Sequence, residues 1–433
     1  MTGAPLWRGY WFLFASTSAA AFIMQIDLAM VARLGGRAPG AYAILMRITL
    51  LDVAVTIACA AVAAIALGHA QKNGETADAI EKTCALALTL GLATAIFGFF
   101  AYPIFLDALM GDAAAAPYIG APIVWLVAGA PFRVLANTQG FLLHALGRGG
   151  SALAWKLAEI PAKAGANVLF MHMLGFGFAG CFLSGCVVAA ASSFWLWSRL
   201  QAHGARRMRL PETAFARSFL NGTFWEALRA LSPQAAMLFT LTLFSLPWET
   251  GANGQRLDSF AAAQTFMLFI LGPPITLTRY LAMYLPTKSS EDWTPALAPV
   301  VRVGAPIALT AAIMLLLGRD WIGATLYRQQ GAWWSVFVAC LALSLPIRFV
   351  GSIVRGLTLA RQSFAKLTSV DVLAQWLIAP LFILFGLSVN RPEIAYQSLI
   401  WPEVVAVFLI WLGLRSAPEE PLGVPASSKG HVQ

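Results

Sequence analysis

Along the apolar stretch 152–174, the polar side chains Lys156, Glu159, Lys163 and Asn167 fall at i, i+3, i+7 and i+11. That spacing sets all four on one stripe of a helix whose other residues are mainly Ala, Leu, Ile, Val and Phe, so the stripe must face protein or water. Two kinds of chemistry fit it. One is an internal Glu159–Lys163 ion pair at i, i+4 that neutralises both charges. The other is a polar wall whose acid or base changes protonation during a working cycle. Pro161 favours the second, because it frees the carbonyl of Leu157 and gives the helix a place to bend.

Asp27 poses a similar choice in the outer half of the first apolar stretch, about five turns beyond Arg8 at a rise of 1.5 Å per residue. A carboxylate reachable from outside yet partly desolvated can load and release a proton. The alternative is a carboxylate held by Arg33 or Arg37. Further ionisable residues lie at similar depth: Asp52, Glu226, Asp371 and Glu403 among the acids, and Arg47, Arg133, Arg229, Arg279, Arg348 and Arg355 among the bases. Each costs about 2.5–3.5 kcal/mol at the centre of a bilayer, so each one turned inward is a functional candidate.

The stretches that hold these groups set the class. Of 433 residues, 59% are apolar and 11% charged, and the mean hydropathy is +0.72, far outside the range of soluble domains. Crossing a hydrocarbon core about 30 Å thick takes about 20 apolar residues as a helix. Twelve such stretches occur between about residue 8 and residue 414. The first is too long and too polar for a cleaved signal peptide. With the N-terminus inside, sixteen Lys and Arg residues fall on the cytoplasmic side and six outside, which puts both termini in the cytoplasm of an inner-membrane protein. The net charge of +9 is thereby spent on topology and anionic lipid contacts, not on nucleic acid.

The basic segment 201–218 divides the chain into an N-lobe, 1–200, and a C-lobe, 219–415, followed by a disordered tail, 416–433. The lobes echo one another. Tyr10-Trp11 returns as Phe224-Trp225, and Pro131-Phe-Arg133 as Pro346-Ile-Arg348. Six spans per half give repeats of one orientation, related by an axis along the membrane normal, with a substrate site expected between them. Cys59, Cys84, Cys181, Cys186 and Cys340 lack metal-site spacing and read as small buried side chains. No G-x-x-x-x-G-K-[ST] stretch could cradle ATP phosphates. Gly175-Phe-Gly177-Phe-Ala-Gly180 matches G-x-G-x-x-G but follows no strand, and reads as a tight turn between packed helices.

Three segments carry a resemblance: Asp27-Leu-Ala-Met-Val-Ala-Arg33-Leu-Gly35, Tyr42-Ala-Ile-Leu-Met-Arg47-Ile, and Leu67-Gly68-His-Ala-Gln71-Lys-Asn-Gly74. Together they resemble spans 1 to 3 of the multidrug and toxic compound extrusion (MATE) family, and Phe141-Leu-Leu-His-Ala-Leu-Gly147 is similar to a later landmark of that family. The resemblance implies an all-α fold of twelve helices in two six-helix lobes, and an antiporter that trades an outgoing organic molecule for a proton or sodium ion. Asp27 matches the family's span 1 acid. Lys163 and Asn167 stand where the family usually offers Asn and then Asn or Asp; an ammonium there competes with sodium, so a proton is the expected ion.

Asp27, Glu159, Lys163, Asn167 and Asp52 are the expected ion-coupling residues. Arg133, Arg279, Arg348, Arg47, Glu226 and Asp371 are the expected lining of the substrate cavity. Guanidinium groups suit carboxylates or phosphates, which points to an amphiphilic substrate with an anionic group. The alternative for Arg133 and Arg348 is a pair of clamps on helix ends or carbonyls. Neither a cofactor nor a metal is expected, and the protein is expected to act as a monomer in the bilayer. Competing readings are a flippase for a lipid-linked precursor or oligosaccharide, a small-anion exporter, and a membrane-embedded enzyme.

Overall fold

The computed structural model describes residues 4–34, 38, 42, 45–46, 49–110, 116–246 and 253–416. Arg37, Arg47 and the tail beyond Ser416 lie outside the described residues. Among the described residues the secondary structure is helical throughout, with no strand. This follows from an apolar sequence in lipid, where a helix satisfies its own amides and carbonyls.

The N-lobe comprises α1 (Ala4–Ala32), α2 (Leu50–Asn73), α3 (Thr76–Met110), α4 (Ala116–Ala145), α5 (Gly149–Asn167, prolonged by a π turn over Val168–Met173) and α6 (Gly177–Gln201). In the C-lobe follow α7 (Thr213–Ser245), α8 (Asn253–Tyr284), α9 (Trp293–Ile322) and α10 (Ala332–Ala360). The last two spans are interrupted. Helix α11 runs through Phe364–Leu373, a π turn at Ala374–Ile378 and Ala379–Ser388, and α12 through Pro392–Ala395, a 3-10 turn at Tyr396–Leu399 and Trp401–Ser416. Eleven helices among the described residues are long and apolar enough to cross a membrane. Helix α5 is set apart by its charges, Lys156, Glu159 and Lys163.

The same neighbours recur in both halves. In the N-lobe α4 packs on α2, α3 and α6, and α1 on α5; in the C-lobe α10 packs on α8, α9 and α12, and α7 on α11. Across the join α2 meets α7 and α1 meets α8, as a two-fold relation between the lobes requires.

The apolar clusters locate the cleft. Two of them draw on both lobes, and both lie at the end of the bundle where α1 begins: Leu67, Leu142, Leu200, Phe219 and Leu367 in one, and Leu13, Phe141, Tyr280 and Phe349 in the other. The opposite end holds one cluster per lobe, around Val31, Leu45 and Phe182 in the N-lobe and around Phe244, Phe337 and Tyr396 in the C-lobe. The lobes are therefore sealed together at the N-terminal end and separately packed at the other. Among the described residues two hydrogen bonds cross the seam, from the Tyr10 hydroxyl to the Pro273 carbonyl at 3.4 Å and between His69 Nε2 and the Ala360 carbonyl at 3.0 Å.

Two local expectations can be compared directly. The glycine-rich segment is a turn, with Gly175 and Gly177 at φ +72° and +52°; a Cβ on Gly180 would sit 2.7 Å from the Phe170 carbonyl carbon, so α6 packs backbone to backbone on the π turn that prolongs α5. The inter-lobe connector is shorter than 201–218. It covers 202–212, because α7 continues for a turn and a half beyond its apolar part, and a hydropathy boundary marks the lipid edge rather than the helix end. The connector is fastened to α3: the backbone N–H groups of Arg206 and Arg207 donate to Glu81 at 2.6 and 3.2 Å, and Arg209 pairs with Asp78.

Candidate functional site

The first site is a polar knot where α1, α5 and α6 meet inside the N-lobe. The Lys163 ammonium donates to the Asn167 side-chain oxygen at 3.0 Å, the Cys181 carbonyl at 2.8 Å and the Ser184 hydroxyl at 2.6 Å, and lies 3.1 Å from Asp27 Oδ1. Asn167 Nδ2 donates to the same Asp27 oxygen at 2.7 Å, and Ser184 also bonds Asn167. Lys163 and Asn167 are buried. An ammonium has three protons, and three neutral oxygens from α5 and α6 already accept them. Asp27 thus adds charge and ties α1 to that pair of helices.

Glu159 does not join this knot. It turns to Lys156 at 2.7 Å, so the Glu159–Lys163 pair does not form and the helical stripe splits into two units. Asp52 is elsewhere again. It is buried on α2 and accepts from Arg133 Nε at 3.1 Å and Arg133 Nη2 at 2.5 Å, and Arg133 also donates to the Leu126 carbonyl at 2.8 Å.

The second site is a cavity of about 460 Å³ in the C-lobe, lined by α7, α8, α10, α11 and α12, with Ile57 the one N-lobe residue on its wall among the described residues. It lies inside one lobe, not between two. The C-lobe's charged side chains turn into their own bundle, whereas the contacts between the lobes are mainly apolar. Glu226 on α7 takes a two-point hydrogen bond from Arg229, one arm at 2.8 Å. Arg355 on α10 bridges α11 and α12, donating to Asp371 through Nε at 3.0 Å and Nη2 at 2.9 Å and to Glu403 through Nη1. Arg348, two turns earlier, lies 3.6 Å from Glu403 and bonds the Ser344 hydroxyl at 3.1 Å and the Leu399 carbonyl at 3.4 Å.

Of the expected cavity residues, Arg279, Arg348, Glu226 and Asp371 line this space. Arg133 does not, being held on Asp52 in the other lobe, and Arg47 falls outside the described residues. Arg229, Arg355 and Glu403 stand on the wall as well. Spacing gives a signal for two of them: Arg355 is seven residues after Arg348, and Arg229 three after Glu226, each on the same helix face. Nothing in the sequence marks Ser184, one of many small polar residues in apolar helices.

No protein-family model matches the chain, and no curated protein matches it either. Solved structures do. A crystal structure of a MATE protein in the bent conformation matches at TM-score 0.85 and 14% identity, covering 95% of this chain and 94% of that one. An outward-facing multidrug resistance MATE transporter of the MOP superfamily matches at TM-score 0.80 and 15% identity, with 95% of each chain covered. A MOP superfamily transporter from Pyrococcus furiosus, whose reversed binding-pocket polarity is held to suggest a different function, matches at TM-score 0.81 and 14% identity, again over 95% of each. The chain is an integral membrane protein with the two-lobe MATE fold. Its structural neighbours are transporters, not enzymes.

Proposed function

We propose that this protein is a secondary active exporter that moves an organic, amphiphilic molecule with an anionic group outward, in exchange for an inward proton, by alternating access. The observation that carries the reading is the Asp27 knot. Protonating Asp27 removes its attraction for Lys163, while Asn167, Cys181 and Ser184 continue to accept the ammonium's protons. The charge on α5 stays satisfied and α1 keeps only the neutral Asn167 hydrogen bond in place of an ion pair, so one proton loosens the packing of a helix that also contacts α8 across the seam. Proton entry supplies about 2.3 kcal/mol per 100 mV of membrane potential.

With the N-terminal end in the cytoplasm, the seam is the closed inner gate and the separately packed ends open outward. The anionic substrate follows from the charges on the cavity wall, where Arg229, Arg279, Arg348 and Arg355 face Glu226, Asp371 and Glu403. The test is Asp27→Asn in proteoliposomes, reading substrate-induced proton movement. The expected result is loss of coupled flux with substrate binding retained; coupling unchanged from the natural protein removes Asp27 from the role and the reading with it.

A further inference from the structure

On the reading above that the C-lobe cavity is the substrate site, its wall also sets how many charges the substrate carries. Among the described residues the wall holds three carboxylates and four guanidiniums. Glu226 is held by Arg229, while Asp371 and Glu403 are both held by Arg355, with Arg348 as a second base beside Glu403. Three negative charges stand against four positive ones, so one positive charge is left over.

The excess is local to Arg279. This residue, five positions after Pro274 in α8, makes no hydrogen bond or ion pair within the described residues, so its planar fork of five N–H donors is uncommitted. It stands beside Glu226. Both residues line the cavity, both line a small void at the lobe seam that Ala61, Ile65 and Phe141 of the N-lobe close, and Arg279 lies in the electrostatic field of Glu226 and Arg229. The Glu226 carboxylate is 1% exposed and fixed by its two-point bond from Arg229. One oxyanion charge therefore completes the balance at Arg279, whereas a second charge on the same head group finds the other arginines taken and Glu226 close by, where like charges repel. One turn along the same face of α8, Ile275 adds apolar wall for the rest of an amphiphile.

We propose that the cavity takes a singly charged oxyanion head group on Arg279, and that Glu226 turns away dianions. Arg279 selects for the presence of charge and Glu226 for its number. The remaining three arginines, held by the cavity's own acids, shape the wall.

The experiment is calorimetric binding to the purified protein in zwitterionic lipid nanodiscs at pH 8, with three probes of one chain length: hexyl sulfate, a monoanion; hexyl phosphate, a dianion of nearly the same shape at that pH; and the neutral hexyl methyl sulfone. The expected result is that the sulfate binds at least about tenfold tighter than the sulfone and at least about tenfold tighter than the phosphate. Arg279→Gln abolishes the preference for sulfate over sulfone, and Arg279→Lys retains it. Glu226→Gln narrows or reverses the preference for sulfate over phosphate, a gain of dianion binding that a merely structural role would not produce; Asp371→Asn makes the same change of wall charge and narrows it less. Phosphate binding as tightly as sulfate to the natural protein, a preference over the sulfone that survives Arg279→Gln, or no binding of the sulfate overturns the proposal. The two readings fail separately. Selective binding of the monoanion without proton-linked efflux defeats the exporter and leaves the charge rule standing; proton-linked efflux of a dianion or a neutral molecule defeats the charge rule alone.

Discussion

Arg133 and Arg348 hold matching places in the two repeats, two residues after a proline in α4 and α10, and their surroundings differ. Each bonds a backbone carbonyl and an acid. Arg133 takes Asp52 from α2, the helix that joins the lobes; Arg348 shares Glu403 of α12 with Arg355, inside the C-lobe. In the N-lobe, Asp27, Asp52 and Glu159 each pair with one base. In the C-lobe, three acids face four arginines around open space. One repeat holds its acids in closed ion pairs, and the other sets four arginines and three acids around a cavity.

The largest expected effect comes from Arg355→Leu, which leaves Asp371 without a base and Glu403 with only the more distant Arg348. Thermal unfolding in detergent should report a loss of about 3–5 kcal/mol, with Glu403→Gln much milder. Next, Arg133→Gln and Arg348→Gln should separate the lobes. Among the described residues Arg133 is the one ion-pair partner of Asp52, so its loss should cost about 3 kcal/mol, whereas Glu403 keeps Arg355 and the loss of Arg348 should cost about 1 kcal/mol. Equal losses would break the comparison between the lobes.

Gly351→Ala tests crowding in the C-lobe network. A Cβ there would stand 2.6 Å from both Arg355 Nη1 and Glu403 Oε1, so about 1–3 kcal/mol of destabilisation is expected, together with weaker anion binding. The smallest effect should come from Lys156→Gln. Its pair with Glu159 is partly exposed, and less than about 1 kcal/mol should be lost, with proton coupling intact. A coupling defect in Lys156→Gln would place Glu159 back in the working machinery.

Much of the fold was legible in the sequence because lipid permits few solutions. Apolar runs of bilayer length must be helices, and the Pro131 and Pro346 echo marks the doubling within the sequence itself. The helical spacing placed Lys163 and Asn167 on one face, and that face is where Asp27 arrives. The same spacing put Glu159 on the stripe, yet Glu159 pairs with Lys156, because a helix face spans a wide arc and rotamer choice within it depends on the neighbouring helix. Ser184 carried no signal, since a small hydroxyl in an apolar span is usually ordinary packing.

The sequence alone determined the class, the number of spans, the doubled plan and the set of charges that must be kept from lipid, all consequences of hydropathy and of periods along one helix. Tertiary structure decided which acid meets which base, that Arg133 closes on Asp52 while Arg279 is left facing a cavity, and which end of the bundle is sealed. Those outcomes depend on contacts between residues far apart in the chain, such as Asp27 with Lys163 or Arg355 with Glu403. Such contacts are fixed by how helices cross, and no periodicity within a single helix encodes that.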